Sequence, residues 1–454
     1  MKNRKAMDLT QGSVPKKLLS FVIPIMLGNV LQTLYSSADK VVVGQFAENG
    51  DLGLAAVGST GAISYLIIGL FIGLGIGVNV ICANLIGAKK QAELRKTMHT
   101  AIPVALICGA VIAAVGILAA KWVLRWMDTP SDVLNFATQY MQIYFASIPA
   151  VLLYNFGAGI LRAHGDTKRP MYILMVSGLV NVVLNLVFVI CFHMNVDGVA
   201  LATAISQVLS ALAVLWILFD PKDQYKMRFR ELRIHGKELM DIIRIGVPSG
   251  LGGMVFSASK VVIQSTINAF DDAALLAGQA VVADLSGVIY QVLAAMLAGC
   301  VSFAGQCYGA KQYKRIDKLV VWGCVICWII MGAMIAACTI FAEQVVSLFN
   351  ADPDVIKWGT LLMRVELTGY LIYIPSEVFM GSSRGMKHAT MPTVLNFLGI
   401  CVTRVLWALL IFPLYPEAWM LYLCYPVSWV ISTTLQGCYF LHIRKKINKL
   451  AHRP

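Results

Sequence analysis

Long apolar stretches, each of about 20 residues or more, recur along the whole chain and are separated by short polar segments. One such stretch is long enough to cross a hydrocarbon core about 30 Å thick as a single helix. The pattern predicts an all-α integral membrane protein with twelve transmembrane helices. Six are expected at Leu18–Val43, Leu52–Ile86, Thr97–Trp122, Val133–Ile160, Pro170–Phe192 and Val196–Phe219, and six more between Leu239 and His442.

Composition agrees with this pattern. Hydrophobic residues make up 58% of the chain, charged residues make up 13%, and the mean hydropathy is +0.73. Soluble domains usually carry about 25% charged residues, so a soluble fold is excluded. The net charge of +13 could indicate a nucleic-acid partner, but no stretch offers a folded domain with a basic face. The predicted partner is the lipid bilayer, and no nucleic acid is expected.

The lysines and arginines of the predicted loops fall almost entirely on one side of the membrane. One side collects 29 of them, and the other holds only Lys121, Arg125 and Lys357. Cytoplasmic loops retain positive charge. We therefore expect a multi-pass protein of the bacterial plasma (inner) membrane with both termini in the cytoplasm.

The chain contains an internal repeat. Gly87–Lys89 recurs as Gly309–Lys311, and the offset of 222 residues also relates Asp132 to Asp354, Met141 to Met363, Arg162 to Arg384 and Pro170 to Pro392. An even number of helices per repeat gives both halves the same orientation. The prediction is two parallel six-helix lobes related by a pseudo-twofold along the membrane normal, at residues 1–219 and 238–454, joined by a cytoplasmic linker at 220–237. Such lobes suit alternating access, although duplication could also have produced only a scaffold.

Four polar side chains in the first half are candidates for an ion-coupling site: Asp39, Asn181, Asn185 and Thr203. A carboxylate in a membrane helix costs about 2.5–3.5 kcal/mol to insert, so it is a functional candidate by default. Asn181 and Asn185 are four residues apart and share a helix face. Such oxygens can hold a proton or a hard cation, and Asp39, Asn181 and Asn185 would be metal ligands if the ion is Na⁺.

An alternative is that the asparagines only join helices and that Asp39 is solvated near the surface. Around Asp39 the offset is 220, since Ala38–Val42 resembles Ala258–Val262, and the repeat mate of Asp39 is Ser259. The carboxylate is therefore confined to one half.

The second half offers weaker evidence for functional residues. Gln279, Asp284, Met296 and Glu366 are predicted to contact substrate, because a neutral amide, two acids and a flexible thioether suit a cationic or apolar compound. Arg364 and Glu366 could pair with each other or with Arg404, and the roles of Arg364, Glu377 and Arg404 stay open.

Several motifs together resemble one transporter family. These are the opening Thr10–Leu19, the helix with Pro24 that leads to Asp39, the Gly87–Lys89 loop, the Arg162–Pro170 loop, and the helix with Asn181 and Asn185. They are similar to the multidrug and toxic compound extrusion (MATE) family, over essentially the whole chain.

The resemblance implies secondary active export of small organic cations or amphiphilic drugs, in antiport with H⁺ or Na⁺. The family's first-helix aspartate and polar fifth-helix pair form an ion site and correspond to Asp39, Asn181 and Asn185. Many members have an acid in the seventh helix, where Ile242–Asn268 offers only Arg244 and Lys260 as charges. The chain therefore resembles the branch that couples through its first lobe. We expect no cofactor besides the coupling ion, and a monomer.

Two alternative functions would need residues of other kinds. A lipid-linked oligosaccharide flippase would need more basic residues inside the membrane to hold a pyrophosphate. A membrane enzyme would need clustered nucleophiles, bases or metal ligands, and the seven histidines are scattered. No Walker-type loop is present in the sequence, so ATP is not an expected partner.

Overall fold

The structure is a computed structural model that describes residues 7–47, 50–223, 225–268, 270 and 272–451. The first half consists of α1 (Val14–Phe46), α2 (Gly50–Gly87), α3 (Gln91–Trp126), α4 (Ser131–Ala163), α5 (Lys168–Leu186), which continues as a π-helix at Val187–Cys191, and α6 (Val196–Phe219). A short 3₁₀ helix at Phe229–Glu231 follows.

The second half begins with α7 (Gly236–Asn268), α8 (Ala273–Gly309), α9 (Tyr313–Ile340), the short α10 (Ala342–Ser347) and α11 (Pro353–Gly385). The next crossing, Thr390–Leu414, is built from α12 (Thr390–Asn396), α13 (Thr403–Leu406) and intervening π and 3₁₀ turns. The chain ends in α14 (Ala418–Tyr422) and α15 (Cys424–Ala451).

The described residues thus form twelve long helical segments, six in each half, as the apolar pattern predicts. Eight of them are long and apolar enough to be identified as membrane spans by length and composition alone. Two of the other four, α11 and α15, carry several charged residues, which lowers their hydropathy.

Helix ends repeat at the sequence offset. α2 and α8 end 222 residues apart, α3 and α9 begin 222 apart, and α4 and α11 begin and end 222 apart. Within the first half, α4 packs against α2, α3 and α6, and within the second half α11 packs against α8, α9 and α15. The repeated helix is therefore the central one in each half.

The chain divides into two compact units. The first contains Met7, Asp8 and Leu27–Val247, and the second contains Leu9–Met26 and the chain from Pro248 onward. Both changes of unit occur inside a helix and close to a proline, Pro24 in α1 and Pro248 in α7. Proline removes a backbone hydrogen bond from a helix, so these are the mechanically weak points of α1 and α7.

These units differ from a division at the loop between the halves. The segment 220–237 belongs to the first unit, and the first part of α1 belongs to the second. The side chains of residues 255–261, Ser259 among them, lie outside the described part of the chain.

A charged cluster fixes the loop between α4 and α5 to the segment after α6. The Arg169 guanidinium pairs with Asp166 (Nε to Oδ2, 3.0 Å) and with Asp223. The Tyr225 hydroxyl donates to the same Asp166 oxygen at 3.4 Å. Gly165 has a φ of +86°, and a Cβ there would lie 2.2 Å from the carbonyl oxygen of Met7, so only glycine fits this turn.

His164 belongs to the same cluster. Its Nδ1 donates to the carbonyl oxygen of Ile160 at 2.8 Å, and its ring meets the Tyr225 ring edge-on at 4.8 Å between centroids. Burial disfavours the imidazolium and lowers the pKa of His164 from 6.5 to about 4, although the hydrogen bond to Ile160 opposes this shift.

The burial of His164 predicts that the loop between α4 and α5 is destabilised at acidic pH. Because the folded pKa of His164 lies below the unfolded value, its contribution to stability is complete above pH 6.5 and is lost as the pH falls towards about 4. We expect His164→Gln to reduce this acid loss by about 1–3 kcal/mol. Thermal unfolding of the purified protein across this pH range measures it, with His193→Gln as an exposed-histidine control. Identical pH dependence of wild type and His164→Gln would contradict the assignment.

Candidate functional site

The Asp39 carboxylate, on α1, is held by two other helices of the first unit. The Asn185 side-chain amide of α5 donates to Asp39 Oδ1 at 2.5 Å. The Thr203 hydroxyl of α6 donates to Asp39 Oδ2 at 3.4 Å. Each carboxylate oxygen therefore has a donor from a different helix, as a charge placed inside a membrane protein requires.

Asn181 completes a closed ring of hydrogen bonds. Its amide donates to the Thr203 hydroxyl at 3.2 Å, and its Oδ1 accepts from the Asn185 amide at 3.5 Å. Both asparagines are buried, and Asn185 has 0% of its surface exposed. The structure thus brings together all four first-half residues that the sequence selects, at one level of the unit.

A close contact between α1 and α5 sets this level. The ring of Tyr35, one turn before Asp39, covers Gly178, one turn before Asn181, and a Cβ on Gly178 would lie 1.8 Å from Tyr35 Cε2. The Tyr35 hydroxyl donates to the Met175 carbonyl at 3.3 Å. Sequence analysis missed Tyr35 and Gly178, although their spacing from Asp39 and Asn181 places each on the same helix face.

One atom of the ring has no partner. The Asn185 Oδ1 is buried and makes no hydrogen bond within the described residues. A buried amide oxygen beside a carboxylate is a strong position for a ligand, since unsatisfied buried acceptors are rare. Together with the Asp39 carboxylate and the Thr203 hydroxyl, it gives an all-oxygen donor set that suits either a proton or a hard cation.

The oxygens fit a proton equally well. A protonated Asp39 would need an acceptor for its O–H, and rotation of the Asn185 amide by half a turn presents Oδ1 in place of the amino group. The described residues contain no cluster of three or more His, Cys, Asp or Glu side chains that could hold a metal ion. The site has a single carboxylate, so one proton or one monovalent cation neutralises it.

The substrate-contact candidates in the second unit do not come together. Gln279 donates to Gln264 Oε1 at 2.7 Å, and Gln264 donates to Asn268 Oδ1 at 2.9 Å, so Gln279 belongs to an amide chain between α7 and α8. Asp284 is exposed. Met296, 1% exposed, is enclosed in the core of α8, and Glu366 is buried in α11. Met296 therefore packs the core rather than lining an open surface.

Of the pairings left open for Arg364 and Glu366, the one between these two residues does not form. Arg364 is exposed and makes no ion pair within the described residues, whereas Glu366 is buried two residues further along α11. Residues two apart on a helix point to nearly opposite sides. Arg404 donates from Nε to the Ser428 hydroxyl at 3.1 Å and lies 4.3 Å above the Tyr425 ring. Its cation is thereby packed inside the second unit.

The Tyr35–Gly178 contact can be tested by a pair of substitutions. Gly178→Ala adds a methyl group that collides with the Tyr35 ring, so we expect α1 to move away from α5 and the unfolding midpoint to fall. Tyr35→Ala in the same chain makes room and should recover part of the loss, with a coupling energy of about 0.5–3 kcal/mol. Thermal unfolding of the two single variants and the double variant measures the coupling. Strictly additive effects would contradict the contact.

The family model described as MatE matches residues 24–187 and again 248–410, so each half carries one copy. The probable multidrug resistance protein YpnP of Bacillus subtilis is 30% identical over 88% of this chain and 89% of its own length. The probable multidrug resistance protein YoeA of the same species is 27% identical over 96% of both chains.

A solved transporter of the MOP superfamily from Pyrococcus furiosus has the same fold. It superposes with a TM-score of 0.91 at 23% identity and covers 99% of this chain and 100% of its own. This match confirms the predicted fold class of an all-α membrane protein with two six-helix lobes. The doubled family match and the full-length relatives confirm the resemblance as well: the chain is a multi-pass membrane protein and belongs to the MATE family of multidrug efflux transporters.

Proposed function

We propose that this chain exports cationic or amphiphilic organic compounds in exchange for protons or sodium ions that bind at Asp39. The observation that carries the proposal is the Asp39 carboxylate, which accepts from Asn185 and Thr203 while the buried Asn185 Oδ1 remains without a partner. The relatives named as multidrug resistance proteins support the substrate class.

A single carboxylate can couple two cations by competition. An incoming proton or Na⁺ neutralises Asp39, and an organic cation can no longer gain the same charge interaction. When the site faces the other side of the membrane, release of the ion restores the negative charge. Alternating exposure of such a site exchanges one cation for the other, provided that the two bound states favour different conformations.

The driving force is sufficient. One charge that crosses 100 mV releases about 2.3 kcal/mol. At about 1.4 kcal/mol per factor of ten, this sustains a substrate gradient of about fortyfold before any pH difference is added. ATP is not needed for export on this scale.

The distribution of positive charge supports an orientation of the chain in the membrane. With 29 loop lysines and arginines on one side and three on the other, both termini belong in the cytoplasm of a cell whose plasma membrane holds the protein. The flippase alternative is not favoured, because the family match and the multidrug-resistance relatives both point to drug efflux.

Export of a fluorescent cationic dye from energised cells tests the proposal. Asp39→Asn keeps the shape of the side chain and removes its charge and its proton, so we expect dye export to fall to the level of cells without the transporter. Separate proton and sodium gradients then identify the ion, as the one that sustains export by the wild type.

The matched control is Asp132→Asn, an exposed carboxylate at the start of α4. It should export dye as the wild type does. If Asp39→Asn retains full export under both gradients while it is present in the membrane at the normal level, the proposed coupling site is wrong.

A further inference from the structure

A second carboxyl group lies deep inside the second unit. Glu377, on α11, has 1% of its surface exposed. The titratable or charged groups that face it within the described residues are Tyr290 and Cys300 of α8, Cys327 of α9, and Tyr373 and Arg384 of α11. None of the site residues described above is among them.

The hydrogen bonds of this carboxyl group are incomplete. The Tyr373 hydroxyl donates to Glu377 Oε1, and Oε2 is buried without a partner. Glu377 makes no ion pair within 4.0 Å in the part of the chain that is described. The Arg384 guanidinium instead donates to the Thr393 hydroxyl at 3.4 Å, and its Nε has no partner.

Such an arrangement suits a carboxyl group that changes its charge. A permanently ionised buried carboxylate normally has an ion pair or several donors, because an uncompensated charge costs several kcal/mol. A permanently neutral acid needs an acceptor for its O–H. Glu377 has one donor and no acceptor, with a guanidinium nearby that is not in contact, so neither state is fully satisfied by protein atoms alone.

Water can supply what the protein does not. The Arg384 Nε is buried without a partner, and Arg384 lies seven residues after Glu377, on the same face of α11 and next to the helix end at Gly385. Buried polar groups without protein partners are usually satisfied by ordered water. The distance from Glu377 to that helix end is about 12 Å at 1.5 Å per residue, short enough for a few water molecules to span.

The repeat shows that this carboxyl group is a feature of the second half alone. Glu377 corresponds to Asn155 at the offset of 222 residues, and the Asn155 amide donates to the Val151 carbonyl of its own helix. Asp39 shows the reverse, with Ser259 as its mate. Asp39 and Glu377 are therefore intramembrane carboxyl groups at positions where the other half is neutral.

We propose that Glu377 is a second proton-binding site, which exchanges its proton with water held between its Oε2 and the Arg384 guanidinium. A hydronium ion transfers one proton to Oε2 and leaves as water, and in the reverse step Oε2 returns the proton to water. Tyr373 donates to Oε1 in both states. The ionised form balances the Arg384 charge, and the protonated form leaves that charge uncompensated. This proposal adds to the proposed function but does not require Asp39 to be the coupling residue.

The test uses purified full-length protein with the Asp39→Asn substitution, so that the first site cannot contribute. Infrared difference spectra between acidic and alkaline buffer record the carbonyl stretch of protonated carboxylic acids. In protein labelled with ¹³C-carboxyl glutamate, we expect this band to show the isotope shift. Glu377→Gln should remove the band. Glu366→Gln, which changes another buried glutamate of the same helix, should retain it. Proton uptake followed with an indicator dye should fall by about one proton per chain in Glu377→Gln.

Two results would overturn the proposal: a spectrum unchanged by Glu377→Gln, or loss of the band in Glu366→Gln instead. If Glu377→Gln does not fold, Glu377→Asp replaces it, and the band should then lose its glutamate isotope shift. Retention of that shift in Glu377→Asp would also overturn the proposal. Since dye export is not the readout, failure here leaves the Asp39 proposal to its own test.

Discussion

A charge inside a membrane protein must find its hydrogen-bond donors on neighbouring helices, because lipid offers none. Asp39 satisfies this requirement through Asn185 of α5 and Thr203 of α6, and those bonds fix how three helices of the first unit meet. The Tyr35–Gly178 contact belongs to the same constraint, since it brings α1 close enough for the bonds to form. Position, packing and chemistry at this site therefore depend on one carboxyl group.

The duplicated fold gives this site its setting. α4 and α11 are equivalent central helices with equivalent ends, yet the polar residues that they and their neighbours carry differ. The first unit has Asp39 and a neutral Asn155, whereas the second has Glu377 and a neutral Ser259. A repeat that keeps its helices and changes its intramembrane carboxyl groups can assign different proton or ion sites to its two halves without a new fold.

Sequence patterns predicted the helices well because membrane crossing depends on length and hydrophobicity, both of which can be read directly. They also selected Asp39, Asn181, Asn185 and Thr203, since intramembrane polar residues are few and helix spacing shows which share a face. Hydropathy cannot separate a core-facing apolar residue from one that lines a cavity, so the sequence predicts a substrate contact for Met296 although its side chain is enclosed.

Other features depend on tertiary contacts that no local pattern contains. The change of unit within α1 and α7 near Pro24 and Pro248 is of this kind. The exposure of Arg364 is another such feature, since closeness in sequence alone suggests an ion pair with Glu366.

The most direct test of the central claim is to count the ions released when purified protein binds a cationic dye. If ion and substrate compete at Asp39, the wild type releases about one more proton or sodium ion per bound dye than Asp39→Asn does. Dye binding with equal ion release from both proteins would show that Asp39 is not where the two cations are exchanged.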